Sequence, residues 1–274
     1  MSIGAEPGTP RPAARREFPF WLAGLGLLGV LGLWAIASDG DYAQILSILV
    51  GGIVTTLWVS VVAFVAAAVL GLLVALARTS PLMPLRQLAI FYVEIIRGIP
   101  VLVVLFYVAF VGAPWLVSAV NMIITPLTGL GWLQPLSVRE LDFTWRAIIA
   151  LTVCYSAFIA EIFRAGIEAV ERGQVEAAWS LGLSRWQTFR LVVAPQALRT
   201  VLPPLGNDFV AMIKDSALVS ALGVQDITQL GKVYASGTFR FFETYNVVAY
   251  LYLVMTISLS LLVRLLEQRL RRGR

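Results

Sequence analysis

Long apolar runs constrain this chain more than any other feature. Residues 18–37, 50–77, 87–112, 143–172, 201–224 and 245–266 each open or continue a mostly apolar stretch. About 20 such residues suffice for a helix to cross roughly 30 Å of hydrocarbon. Inside hydrocarbon the peptide groups must bond to one another, so such runs fold as helices. Composition agrees, with 59% hydrophobic residues, 14% charged and a mean hydropathy of +0.83. The expected fold class is an all-α integral membrane protein with about six transmembrane helices. Cys154 is the one cysteine and lies in an apolar run, so no disulfide forms within the chain. There is no histidine, which removes His-based acid–base chemistry, catalytic triads and most metal sites. No catalytic and no metal-binding residue is therefore expected.

In chain order, residues 1–17 are polar, carry Arg11, Arg15 and Arg16, and read as a disordered cytoplasmic tail. The 18–37 run is either a retained helix, with Trp21 and Trp34 as interface anchors, or a signal peptide cut after Ala35-Ile36-Ala37. Its length suits retention. Residues 113–142 read as a loop holding Pro114, Pro126 and Pro135, with 115–124 apolar enough to lie along the interface. The fourth span starts near Phe143 and stays helical to about Arg172, stiffened by Glu161, Arg164, Glu168 and Arg172 at spacings of three and four. Residues 268–274 form a basic tail. Fifteen of the 21 Lys and Arg fall on one side of this topology. Four fall on the other (Arg139, Arg146, Lys232 and Arg240), and Arg97 and Lys214 lie within spans. The positive-inside rule then puts both termini and the 173–205 loop in the cytoplasm, and explains the formal charge of +5 without a nucleic-acid partner.

Charges within spans need a reason, because each costs about 2.5–3.5 kcal/mol at the bilayer centre. Glu94 and Arg97 share a helix face, with Arg97 expected near the midplane and Pro100 interrupting the helix just beyond. They read either as elements of a translocation path or as a buried pair that fastens two helices. Asn207, Asp208, Lys214 and Asp215 recur seven apart and form one polar stripe. Thr152, Tyr155, Ser156 and Ile159 follow helical spacing, with Glu161 lower down; hydroxyls of this kind serve more often as packing contacts between helices.

The 173–205 loop reads as two short helices and a stop. Glu176 sits early in a first helix over 176–181, and Gly182 ends it. Ser184 with Gln187 makes a capping box for the second. Pro195 breaks or kinks that helix, and Pro203-Pro204 marks the next boundary. Glu176-Ala177-Ala178, then Gly182, then Pro195 thirteen residues later resemble the EAA loop of ABC importer permeases. VEIIRGIP (93–100), YSAFIAEIFRAGI (155–167), LPPLGNDFVAMIKDSAL (202–218) and GIVTTL (52–57) extend the likeness to the polar amino acid uptake branch. Departures are Ala194 where Leu is usual, Ile99 for Thr, and Ser216-Ala217 for Thr-Ser.

The resemblance covers residues 50–267. It implies a five-helix type I permease core, with 18–37 as an added helix outside it. It implies that the 173–205 loop couples to a cytosolic ATPase, with Glu176, Ala177, Ala178, Gly182, Arg185, Arg190 and Pro195 at the contact. The residues of the path would be Glu94, Arg97, Pro100, Glu161, Asn207, Lys214 and Asp215. Implied partners are two ATPase subunits, a second permease subunit (the same or a related chain), an extracytoplasmic amino acid-binding protein, and membrane lipid. The implied location is the bacterial inner membrane. This chain is expected to bind no cofactor, since ATP would sit on the partner: Gly231-Lys232 has Asp226 where a phosphate loop needs glycine. The alternative from another class is an ion-coupled carrier or channel working alone.

Overall fold

The computed structural model describes residues 20–129 and 132–272. The tail 1–17, the first residues of the 18–37 run, and Gly273-Arg274 lie outside the described residues. Every regular element described is helical.

Two helices form the centre. α2 (Gly40–Arg78) is 39 residues long and begins ten residues before the apolar run suggested, because Asp39 caps it by accepting from the Asp41 N–H at 2.9 Å. Along α2, Val59, Ala63, Ala67, Gly71 and Ala75 recur every fourth residue, and all are buried. This narrow seam of small side chains lets α6 (Phe143–Glu168) approach closely. At Gly71 a Cβ would lie 2.9 Å from both Ile159 Cγ2 and the Ser156 carbonyl. α6 starts where expected, with Asp142 accepting from the Trp145 N–H.

Between α2 and α6 the sequence reading needs correction. α3 (Met83–Gly98) ends at an extended Ile99 and Pro100. Proline disfavours helix in the residue before it and donates no hydrogen bond. α4 (Val101–Tyr107), a π turn over Val108–Gly112 and α5 (Ala113–Gly129) then run on as one apolar segment, Val101–Gly129. The apolar helical segment long enough to cross therefore starts after Pro100 rather than near Gln87, and residues 115–124 belong to it. Pro114 follows the π turn directly, so the donor it lacks falls where the regular helical ladder is already interrupted.

The carboxy-terminal half holds α9 (Ala194–Asp215), a 3-10 stretch over Ser216–Leu222, α10 (Ile227–Thr238) and α11 (Phe241–Arg272). Pro203-Pro204 lies inside α9 and is no boundary. α11 carries the tail residues as far as Arg272. At the α10 start, Asp226 is fully buried and accepts from the Gln229 N–H at 2.8 Å and the Tyr252 hydroxyl at 3.2 Å. Its neighbour Ile227 lies against Gly52, with its N–H 3.4 Å from Thr56 Oγ1. α1 (Phe20–Ser38) leans on α11, where Tyr250 covers Gly32 and its hydroxyl lies 3.4 Å from the Gly29 carbonyl.

Among the described residues, four helical segments are long and apolar enough to cross a membrane: Gly40–Arg78, Val101–Gly129, Phe143–Glu168 and Phe241–Arg269. Gly26–Ser38 is a shorter apolar helix. The expected fifth span, 201–224, is not one apolar helix. It is the polar-striped α9 and the 3-10 stretch, packed against α6, α2 and α11.

Candidate functional site

The segment joining α6 to α9 is an ordered element that stands out from the bundle. α7 (Arg172–Ser180) begins four residues before Glu176 and directly after the turn that ends α6. At its close Gly182 has φ +79°. The Gly182 N–H donates to the Trp179 carbonyl at 2.9 Å, and the Leu183 N–H to the Ala178 carbonyl at 3.1 Å. That pair of bonds is a Schellman cap, which needs the left-handed conformation glycine adopts without strain. Ser184 and Gln187 then form the expected capping box for α8 (Arg185–Thr188), with bonds of 2.9 and 3.3 Å. The chain does not break at Pro195. A π turn over Phe189–Val193 absorbs one extra residue, and Pro195 falls in the first turn of α9, where a missing N–H is tolerated. Gln196 ties the element down by donating to Gln174 Oε1 and to the Val192 carbonyl.

Of the residues marked in sequence here, Ala178 turns inward and is buried, while Ala177 and Glu176 face outward with Arg185, Arg190 and Pro195. Trp179, Leu181 and Trp186 are 53%, 81% and 67% exposed. Trp186 stacks on Phe189 with ring centroids 6.0 Å apart. The element thus turns three large apolar side chains outward alongside its charged residues.

A charged cluster sits beside it, at the carboxy-terminal ends of α2 and α6. Glu161 pairs with Arg78 and, at 2.8 Å, with Arg164, which also reaches Glu168. Arg172, expected to extend this ladder, belongs to α7 instead. Arg78 was not singled out in sequence, because it reads as the ordinary basic end of a span. Arg97 comes to the same place. Its guanidinium lies 5.7 Å from the Phe158 ring centre, and it lines a cleft of about 350 Å³ with Glu161, Arg164, Thr200 and Pro204. It therefore sits beside the carboxy-terminal part of α6, on a helix that ends before the long apolar segment begins, and not within an apolar span as expected. Nor do Glu94 and Arg97 form a buried pair: both are exposed, and no ion pair joins them.

On α9 the spacing of seven produces two adjacent stripes rather than one. Asn207 and Lys214 are exposed. Asp208 and Asp215 turn towards α6, where Asp215 accepts from the Tyr155 hydroxyl at 2.8 Å. Asp208 is half-buried, and its Oδ2 has no hydrogen-bond partner. The hydroxyls around them act as packing contacts: Ser156 bonds Tyr92 at 2.7 Å and the Val153 carbonyl at 2.9 Å, and Ser216 bonds the Ile213 carbonyl. Ile159 is core.

Comparison with known proteins matches this arrangement to one group. Residues 67–272 match the family described as binding-protein-dependent transport system inner membrane component. The chain is 37% identical over 213 residues to the probable amino-acid permease protein YxeN of Bacillus subtilis (strain 168), covering 78% of this chain and 87% of that one. It is 35% identical over 224 residues to the glutamine transport system permease protein GlnP of Escherichia coli (strain K12), covering 82% and 93%. A crystal structure of an amino acid ABC transporter with histidines superimposes with a TM-score of 0.69 at 35% identity, over 84% of this chain and 97% of that one. With the family match spanning most of the chain and the helical architecture agreeing, this protein belongs to the inner-membrane permeases of the binding-protein-dependent ABC transport systems.

Proposed function

We propose that this chain is the translocating subunit of an ATP-driven importer for polar amino acids. It lies in the bacterial inner membrane with both termini cytoplasmic. It pairs with a second permease subunit, takes substrate from an extracytoplasmic binding protein, and binds no nucleotide itself. Relatives named as amino-acid or glutamine permeases support the substrate class. The arginine excess at the α7 end supports the orientation.

The observation that carries the reading is the Schellman-capped, box-capped element over 172–193, with Trp179, Leu181 and Trp186 turned outward. An ATPase docked there would pull on α6 and α9 together, since the element is continuous with α9 and follows α6 after one turn. Glu176, Ala177, Gly182, Arg185 and Arg190 would meet the ATPase, and Ala178 and Pro195 would shape the element. Moving α9 against α6 acts on Asn207, Lys214 and Asp215. Moving the end of α6 acts on Glu161 and on the cleft with Arg97, past Glu94 and Pro100. These are the residues we assign to the path. The two orientations must differ in substrate affinity for ATP energy to drive net movement.

The test is gentle purification from membranes, wild type beside Glu176→Lys, with identification of co-purifying proteins and an ATPase assay. Wild type should bring down an ATP-binding subunit, and the variant should lose that subunit or its substrate-stimulated activity. A wild-type chain that purifies alone would instead restore the carrier working by itself.

A further inference from the structure

A groove of about 590 Å³ runs between α9 and α11. The two helices approach most closely beside Gly206. At Gly206 a Cβ would come within 2.6 Å of Val263 Cγ1. One end is closed by Phe64 and Phe209, whose ring centroids are 4.9 Å apart. At the other end stands Arg269. Leu262, 57% exposed, forms part of the outer wall. Apart from Arg269 the lining is carbon.

The dimensions carry the argument. From Leu259 to Arg269 along α11 is about 15 Å at the helical rise, or half of a hydrocarbon core of about 30 Å. The groove thus spans one leaflet, closed at the midplane end and open beside a cation at the water boundary. Arg269 makes no ion pair among the described residues. Glu267 shares the rim and forms no ion pair with it.

We propose that this groove holds one acyl chain of a membrane phospholipid, whose phosphate faces Arg269. The shape suits that occupant better than a helix from a second copy, which would cross both leaflets and not stop at the phenylalanine pair. The charge suits a phosphate, which an arginine binds through paired N–H donors. The proposal is independent of the transport reading and needs only that the chain lies in a bilayer.

The experiment is native mass spectrometry of the protein with whatever subunits purify alongside it, delipidated and then titrated with dioleoyl phosphatidylglycerol. One lipid per chain should persist under activation that strips the others. Its apparent Kd should rise at least fivefold in Arg269→Gln and in Leu262→Trp, and stay unchanged in Leu261→Trp, a neighbouring exposed position outside the groove. Equal binding by all four proteins overturns the proposal. A second measurement needs only wild type in membranes: phosphatidylglycerol with a photoreactive chain end should label the peptides carrying Phe209 and Leu262. Absence of label there overturns it as well. So does a disulfide between two copies of Leu262→Cys, which would make the groove an interface.

Discussion

Single residues decide whether the outward element keeps its bend. Gly182 at φ +79° is the one position in 172–193 where a Cβ is opposed by backbone conformation alone, since no atom lies within 4 Å of where it would stand. Gly182→Ala should cost about 1–2 kcal/mol for the left-handed backbone. Gly182→Asn should recover part of that, because asparagine tolerates this region. Thermal midpoints of the three purified proteins check the order, and an alanine variant as stable as wild type would refute the cap. Glu161 poses the opposite case, a carboxylate serving two arginines whose side chains are 13% and 32% exposed. Glu161→Gln leaves the Arg78 guanidinium poorly compensated. Removing one partner of a buried pair costs about 3–5 kcal/mol, and the partial exposure here lowers the expectation to about 2 kcal/mol. Arg78→Leu with Glu161→Leu should destabilise by less than the two single changes added together. Additive midpoint shifts would show that the pair is only a neighbourhood of charges.

At the scale of elements, helix contacts are set by where side chains are missing. At Gly52 a Cβ would meet the Ile227 nitrogen at 2.5 Å and the Asp226 carbonyl carbon at 2.7 Å, both backbone atoms held by the buried Asp226 cap. Gly52→Ala should therefore separate α2 from α10 and lower membrane-inserted yield several-fold. Gly24→Ala, where nothing lies within 4 Å, should change nothing. Equal yields on a fluorescence-detected sizing column would contradict the close approach. The same elements show what was legible in the sequence. Capping signals held where the deciding atoms are neighbours in the chain: Ser184 with Gln187, and Gly182 after α7. Hydropathy located the apolar runs but not their ends. It merged α3 with the segment beyond Pro100 and missed that Val101–Gly129 runs on through a π turn, since no local pattern marks an extra residue in a turn. Asp226 passed as merely a residue where a phosphate loop would need glycine. Its partner Tyr252 lies on another helix, 26 positions away. Arg78 likewise reads as an ordinary basic span end, since its carboxylate is 83 positions on.

For the whole molecule, the question is whether the outward element acts by folding or by contact, and its burial pattern separates the two. Trp179 and Trp186 lose little by truncation in the isolated chain, since each is more than half exposed. Trp179→Ser and Trp186→Ser should leave the thermal midpoint of the chain within about a degree. Ala178 is 3% exposed, and Ala178→Trp should lower that midpoint by several degrees through overpacking. If a second subunit docks here, truncating a central aromatic should cost about 2 kcal/mol of binding, roughly a 30-fold weaker complex. In proteoliposomes holding the co-purified complex, uptake of whichever labelled amino acid stimulates its ATPase should then fall at least tenfold in each tryptophan variant and recover when the ATPase subunit is supplied in excess. Recovery by mass action is the discriminating result. A path defect would leave uptake low at any ATPase concentration, and a folding defect would already have appeared in the midpoint. Full uptake in both variants would mean that the exposed rings meet lipid or water only, and the contact would have to move to Arg185, Arg190 and the outward face of Glu176.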